Sequence, residues 1–324
     1  MQMAMRPMNA LAEHPLKTDE VGRFDALIAK ARALPPLKVA VCYPCSEVAL
    51  AGALDAASSG LIEPTLVGPL RQIQHFADLL HADIHRFCLI EARDADQAAG
   101  ICVQLCRSGQ TDGLMKGSLH TDAFLRPVLT RENGLRTTRR ISHIFVMETA
   151  AYARSLLITD AAINIAPSLG EKVDIVQNAI DLAHVMGVAM PKVAILSAVE
   201  TVHPKIASTV DAAALCKMAE RGQILGGILD GPLAFDTAVS HEAAQIKQLK
   251  SSVAGEADVL VVPDLESGNM LAKQLEYLGG ARLAGIVVGA SVPIILTSRA
   301  DSALTRMTSA AIASLMNSAM QTSI

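Results

Sequence analysis

Short apolar runs alternate with helical patterns along most of the chain, and this alternation restricts the fold more than any other feature. The runs Lys38–Cys42, Pro64–Val67, Gly113–Met115, Ile141–Met147, Leu156–Thr159, Val193–Leu196, Ile224–Leu229, Asp258–Val262, Ile286–Val288 and Ile294–Leu296 have the character of buried strands. Between them, Glu47–Ala57, Ala95–Arg107, Glu171–Met186, Ala212–Arg221, Glu242–Lys250 and Asn269–Tyr277 carry helical patterns. In Glu171–Met186, Val173, Val176, Ile180 and Ala183 line one face. Apolar strands separated by helices assemble into a mainly parallel sheet covered on both sides. There are too many strands for one small sheet, and 324 residues suffice for two domains. The expected class is α/β, with two domains.

Composition narrows the function. Hydrophobic residues make up 51% of the chain and charged residues 19%, which implies an additional buried surface, most simply between two copies. A net charge of −4 gives no basic footprint for nucleic acid, and the absence of Trp leaves few aromatic platforms for bases. Six Cys are scattered; Cys42-Tyr-Pro-Cys45 has redox-motif spacing but directly follows the first strand pattern, so free thiols are expected. The first residues, MQMAMRPMNALAEH, lack a continuous apolar segment behind a basic start, and no apolar run approaches the ~20 residues of a membrane span. A cytoplasmic protein is expected.

Gly289–Ala303 reads GASVPIILTSRADSA. The apolar run Val292–Leu296 stops at Thr297-Ser298-Arg299, and Leu304, Met307, Ala311 and Leu315 then recur on one face of a helix. A hydroxyl and a guanidinium therefore stand at the carboxyl end of a strand, beside a helix amino terminus. Ligands of open α/β sheets bind at such ends, where unpaired N–H groups and an Arg fork suit an anion. Ser298-x-x-Asp301 also fits a capping box, and both readings stay open.

Four further strand ends carry polar, Gly or Pro residues: Lys116-Gly117-Ser118, Thr159-Asp160, Asp230-Gly231-Pro232 and Pro263-Asp264. The run Arg136-Thr137-Thr138-Arg139-Arg140 is either a solvated loop or a site for several phosphates. There is no P-loop order around Lys116, no Gly-x-Gly-x-x-Gly after a strand and no Gly-x-Ser-x-Gly elbow. His81 and His85 have metal-ligand spacing without an evident partner, and exposed helix positions are expected for them.

The segments 114–129, 134–148, 156–169, 176–200, 222–240, 251–269 and 288–303, among them DGPLAFD, PDLESGN and PIILTSRADS in that order, resemble the phosphate acetyl/butyryltransferase family over about residues 38–313. The wording, SHIFVME and LTSRADS above all, resembles the butyryltransferase branch more than the acetyltransferase branch. The resemblance implies reversible acyl transfer, acyl-CoA + phosphate ⇌ acyl phosphate + CoA, with no metal or organic cofactor. It also implies an isocitrate/isopropylmalate dehydrogenase-like fold with an interdomain cleft, usually dimeric. The first domain would then comprise 1–148 plus 291–324, with 149–290 inserted as the second. Arg299 would hold phosphate, and Ser298 would donate to the carbonyl oxygen or the leaving thiolate. Arg136, Arg139, Arg140 and Ser142 would bind CoA, and Lys116, Asp230 and Asn269 would line the cleft.

Two departures matter. Where the acetyltransferase branch places an acid as base for the CoA thiol, seven residues beyond Ser298, this chain has Thr305, which cannot serve. Asp301 is nearer and is either that base or a helix cap. Thr201-Val202-His203-Pro204 carries His where relatives often have Asn. The alternatives are a dehydrogenase on the same fold, for which no cleft His/Asp set is evident, and a non-catalytic CoA or acyl-phosphate binding protein.

Overall fold

The computed structural model describes residues 22–297 and 301–322. In chain order its first part runs α1 (Arg23–Arg32), β1 (Leu37–Cys42), α2 (Glu47–Ser58), β2 (Ile62–Gly68), α3 (Leu70–Leu79), β3 (Cys88–Glu91), α4 (Ala95–Arg107), β4 (Gly113–Lys116), α5 (Thr121–Val128) and β5 (Ser142–Thr149). Then follow β6 (Tyr152–Thr159), α6 (Leu169–Val185), β7 (Lys192–Leu196), α7 (Ala207–Glu220), β8 (Ile228–Leu233), α8 (Phe235–Val239) and α9 (His241–Ile246). The chain closes with β9 (Val259–Val261), α10 (Leu265–Tyr277), β10 (Arg282–Val288), β11 (Ile294–Ile295) and α11 (Ala303–Thr322). Among the described residues no helix is long and apolar enough to cross a membrane.

The described strands form an 11-stranded sheet in the order β3-β2-β1-β4-β11-β10-β5-β6-β9-β7-β8. Pairing is antiparallel only at β11–β10, β10–β5 and β5–β6 and parallel elsewhere, so the fold is α/β with a mainly parallel sheet. Three successive reversals mean that β1, β4 and β11 run opposite to β6, β9, β7 and β8. Helix starts follow local chemistry: the side chains of Ser46, Asp94 and Asp264 accept N–H groups of the first turns of α2, α4 and α10, and Ser168 with Glu171 closes a capping box on α6.

One face of the sheet carries a single core that spans both halves, with Val41, Met115, Ile144, Val261, Ile286 and Ile295 packed among α1, α2, α6, α7 and α11. The other face carries two cores. One gathers Cys42, Leu114, Phe124, Val287 and Ile294; the other gathers Met147, Ile158, Leu260 and Leu283. Each fully buried Leu, Ile, Val or Phe in these layers contributes ~1.5–3 kcal/mol.

Several sequence expectations change. The helix after Ser298 begins at Ala303, and its cap is Ser302, whose Oγ accepts the Thr305 N–H at 3.1 Å. Ser298, on which the Ser298-x-x-Asp301 capping-box reading falls, lies outside the described residues. α11 has no solvent face over residues 308–315, which are buried on every side because α1, α2, α6 and β10 surround the helix. The strand expected at Ile224–Leu229 starts only at Ile228, since Gly222 and Gly226 take positive φ (74° and 81°). That strand continues through Asp230-Gly231-Pro232, which is therefore not a strand end; β8 is an edge strand, where Pro is tolerated. The helix expected over Glu242–Lys250 is shorter: α9 ends at Ile246, and α8 precedes it across Ser240. His81 and His85 lie beyond the end of α3, with His81 at φ 51°, so they do not share a helix face. Of the apolar run Val292–Leu296, only Ile294–Ile295 pairs as strand.

Candidate active site

Register places Val41, Met115, Ile295, Ile286, Ile144, Thr159, Val261 and Ile195 on one row across the sheet. In β1, β4, β11, β6, β9 and β7 this row is the last or next-to-last residue of the strand. The two halves approach it from opposite directions, so their carboxyl ends meet at one band. Loops leaving such ends build ligand sites in α/β proteins.

From the first half, β4 ends in Lys116, which is 8% exposed and donates from Nζ to the Gly117 carbonyl at 3.2 Å. Gly117 lets β4 leave close to β1: a Cβ there would lie 2.4 Å from the carbonyl oxygens of both Cys42 and Tyr43. The Ser118 hydroxyl donates to the Tyr43 carbonyl. Lys116, Ser118, Ser46, Met115, Thr297 and Arg306 line a cavity of about 170 Å³. Arg306, one turn into α11, donates to the Asp301 carbonyl at 2.6 Å, and its buried Nε has no hydrogen-bond partner among the described residues. Sequence reasoning missed Arg306, although its position one helical turn beyond Ser302 was a usable signal. Ser298 and Arg299 lie outside the described residues, as does the amino-terminal segment; Thr297 and Asp301 flank the pair.

From the second half, Asp160 at the end of β6 is buried, and its carboxylate accepts the N–H groups of Ala162 and Ile163 and the Asn164 amide. Burial raises its pKa and these hydrogen bonds oppose the rise. Asn269 donates to the Ala161 carbonyl and so belongs to the same strand end. Asn164 also accepts from Arg140 Nε at 2.6 Å and donates to the Ile141 carbonyl.

The cationic loop is only partly solvated. Arg140 pairs with Glu171 at 2.6 Å, and Arg139 pairs with Asp181. Arg136 makes a backbone bridge to Ala290, and its exposed side chain has no polar partner among the described residues. Ser142 is fully buried and accepts from Asn178. Asp230 stands inside the edge strand β8, where its carboxylate accepts the Gly231 N–H. The structure therefore joins Lys116 to Thr297, and Asn269 to Asp160, Asn164 and Arg140, but leaves Asp230 apart. Cys45, in the redox-like spacing, has its thiol pushed up to about 12 by burial, the reverse of an activated thiolate.

A family model described as phosphate acetyl/butaryl transferase matches residues 90–314. The chain belongs to the phosphate acetyl/butyryl transferase family. It is 56% identical to a phosphate acetyltransferase of Rhizobium meliloti, over 90% of this chain and 93% of that protein. It is 43% identical to a phosphate butyryltransferase of Clostridium acetobutylicum, over 90% and 97%. These identities do not favour the butyryltransferase branch. A solved branched-chain phosphotransacylase from Enterococcus faecalis V583 superimposes with a TM-score of 0.76 at 30% identity, covering 87% of this chain and 99% of that one. In this family member the band of strand ends is thus the place to seek an acyl-transfer site.

Proposed function

We propose that this protein catalyses reversible transfer of a short-chain acyl group, acetyl or butyryl, between CoA and inorganic phosphate, with acyl phosphate and free CoA as products. Beside family membership, the observation that carries this reading is the convergence of strand ends on one row, with Lys116 and Arg306 around a cavity that abuts Thr297.

The chemistry needs a thiolate, cations on phosphoryl oxygens and donors to the oxyanion of the tetrahedral intermediate. In our reading Arg299 holds the phosphoryl group and Ser298 donates to the carbonyl oxygen or to the departing sulfur. Lys116 and Arg306 add positive charge. Arg136 is the cation best placed for CoA phosphates, because Arg139 and Arg140 must first exchange their carboxylate partners. Asp301 takes the thiol proton. Asn269 holds the Asp160 loop, and Asp230 receives no role.

We further infer that 1–148 plus 291–324 and 149–290 act as two units, a division supported by the two separate cores on one sheet face. A homodimer is supported by the exposed apolar side chains of Met270, Tyr277 and Leu278 at and beyond α10. We read the protein as cytoplasmic, with CoA, acyl-CoA, phosphate and acyl phosphate as its ligands, no metal or organic cofactor, and no nucleic-acid or membrane partner.

The test is phosphorolysis or arsenolysis of acetyl-, propionyl- and butyryl-CoA, followed by thiol release. Phosphate-dependent release is expected, and its ranking gives chain preference. Arg299→Ala should lower the rate by orders of magnitude while the fold persists. Near-normal turnover in that folded variant would remove Arg299 from the mechanism, and no release from any acyl-CoA would leave a binding protein.

A further inference from the structure

The cavity of about 170 Å³ beside Thr297 has walls of two chemistries. Val48 and Ala49 of α2 and Met115 of β4 are apolar, while Lys116, Thr297 and Arg306 are polar. The apolar wall is held in place by its own local structure. Ser46 caps α2, and its Oγ accepts the Ala49 N–H at 3.2 Å, so Val48 and Ala49 stand in a pinned first turn. Met115 is buried in the continuous core, which is close-packed and does not recede.

The polar wall carries an unmet donor. Arg306 lies against α2 at Gly52, where a Cβ would stand 2.5 Å from its Cδ and 2.7 Å from its Nε. The missing side chain is what lets the arginine lie there. Its Nη1 donates to the Asp301 carbonyl, while its buried Nε has no partner among the described residues. A buried N–H without an acceptor is destabilising, and a ligand oxygen at this wall would satisfy it. The cavity therefore suits a small molecule that is apolar at one end and bears oxygen at the other. An apolar cavity of about 150 Å³ accepts a six-carbon ring. The space beside Thr297 thus has room for a chain of two to four carbons, and is too small for the rest of an acyl-CoA.

We propose that this cavity holds the acyl chain of the substrate and that Val48 and Ala49 set its length. The methyl end packs on Val48, Ala49 and Met115, and an oxygen at the other end of the acyl group accepts from Arg306 Nε. The inference rests on the transferase reading above and names the substrate feature that the site selects. Against an apolar wall, one methylene more or fewer changes kcat/KM by about 10–200-fold.

Two variants of the full chain push the selectivity in opposite directions. Ala49→Leu keeps a good helix former in α2 and fills the cavity. Val48→Ala opens it, at a side chain that is 43% exposed and so adds little to the core. For each, kcat/KM is measured with acetyl-, propionyl- and butyryl-CoA, and the melting temperature reports folding. Ala49→Leu should lower the butyryl-to-acetyl ratio of kcat/KM by about tenfold or more, and Val48→Ala should raise it by about twofold or more. General loosening of the site lowers all three substrates alike and does not move the ratio. Equal falls across the three substrates, or an unchanged ratio in either folded variant, would overturn the proposal. A change confined to the KM for phosphate would do the same. Should Ala49→Leu fail to fold, Val48→Ala decides alone. An unsubstituted protein inactive toward every acyl-CoA would overturn the transferase reading itself, a result seen before any variant is made.

Discussion

Replacing His143 by Leu should remove a source of acid sensitivity from the interior. This residue, the second of β5, is fully buried, and both of its ring nitrogens lack a hydrogen-bond partner among the described residues. Desolvation holds the folded-state pKa of this ring at about 3, whereas an unfolded chain restores it to about 6.5. Between these values the unfolded chain binds a proton that the folded one refuses. Stability associated with the ring is therefore present above about pH 6.5 and is lost as pH falls toward about 3. Linkage gives a loss of about 2 kcal/mol on going from pH 7.5 to pH 5, rising to about 4 kcal/mol by pH 3. Every other titratable group is common to both proteins and cancels in the comparison. The assay is urea denaturation of both proteins at pH 7.5 and pH 5. The unsubstituted protein should lose about 2 kcal/mol more than the variant across that interval. Parallel pH dependences would mean that the ring is hydrated or paired in the folded protein, and the reasoning from its burial would fail.

Gly117→Ala should lower stability by about 3 kcal/mol or more, because the new methyl meets two backbone carbonyls at 2.4 Å and neither can rotate away; a melting temperature within a degree of the parent would contradict the close approach of β1 and β4. Lys172 of α6 is buried and pairs with Asp211 of α7 at 2.7 Å, so Asp211→Ala should cost about 3 kcal/mol by stranding the cation. The pair Lys172→Met with Asp211→Leu should recover most of that loss in chemical denaturation, and a double variant no better than the single one would show that the charge is not the cause.

Much of the architecture was open to inspection of the chain. Ala95–Arg107 is helical over the span read from its pattern, and Lys38–Cys42 and Val193–Leu196 lie within β1 and β7. The reading passes over α1, although Phe24, Leu27, Ile28 and Ala31 recur at helical spacing and are all buried. What a local pattern cannot report is what surrounds a segment. Leu304, Met307, Ala311 and Leu315 look like one apolar stripe, yet Thr308, Ser309 and Ser314 are buried as well, because small side chains let neighbouring elements close around α11. Asp230-Gly231-Pro232 resembles a strand end until the edge position of β8 explains why Pro sits inside a strand. The Arg run resembles a free anion site until Asp181 and Glu171, distant in sequence, fold back onto it. The meeting of strand ends on one row depends on strand order and direction, which no single segment encodes. His143 lies in an apolar strand pattern, and nothing nearby in sequence announces that its nitrogens are unpaired.

The continuous core on one face of the sheet crosses β10 and β5, while the cores on the other face stop short of each other there. The molecule is consequently stiff against flexing in one sense and compliant in the other, as a book opens away from its binding. Bending about the β10–β5 pair strains many contacts on the bound side and few across the divide. Amide hydrogens of β5 and β10, seven residue pairs in unbroken register, should then be among the last to exchange with solvent, well after those of the outer strands β3 and β8.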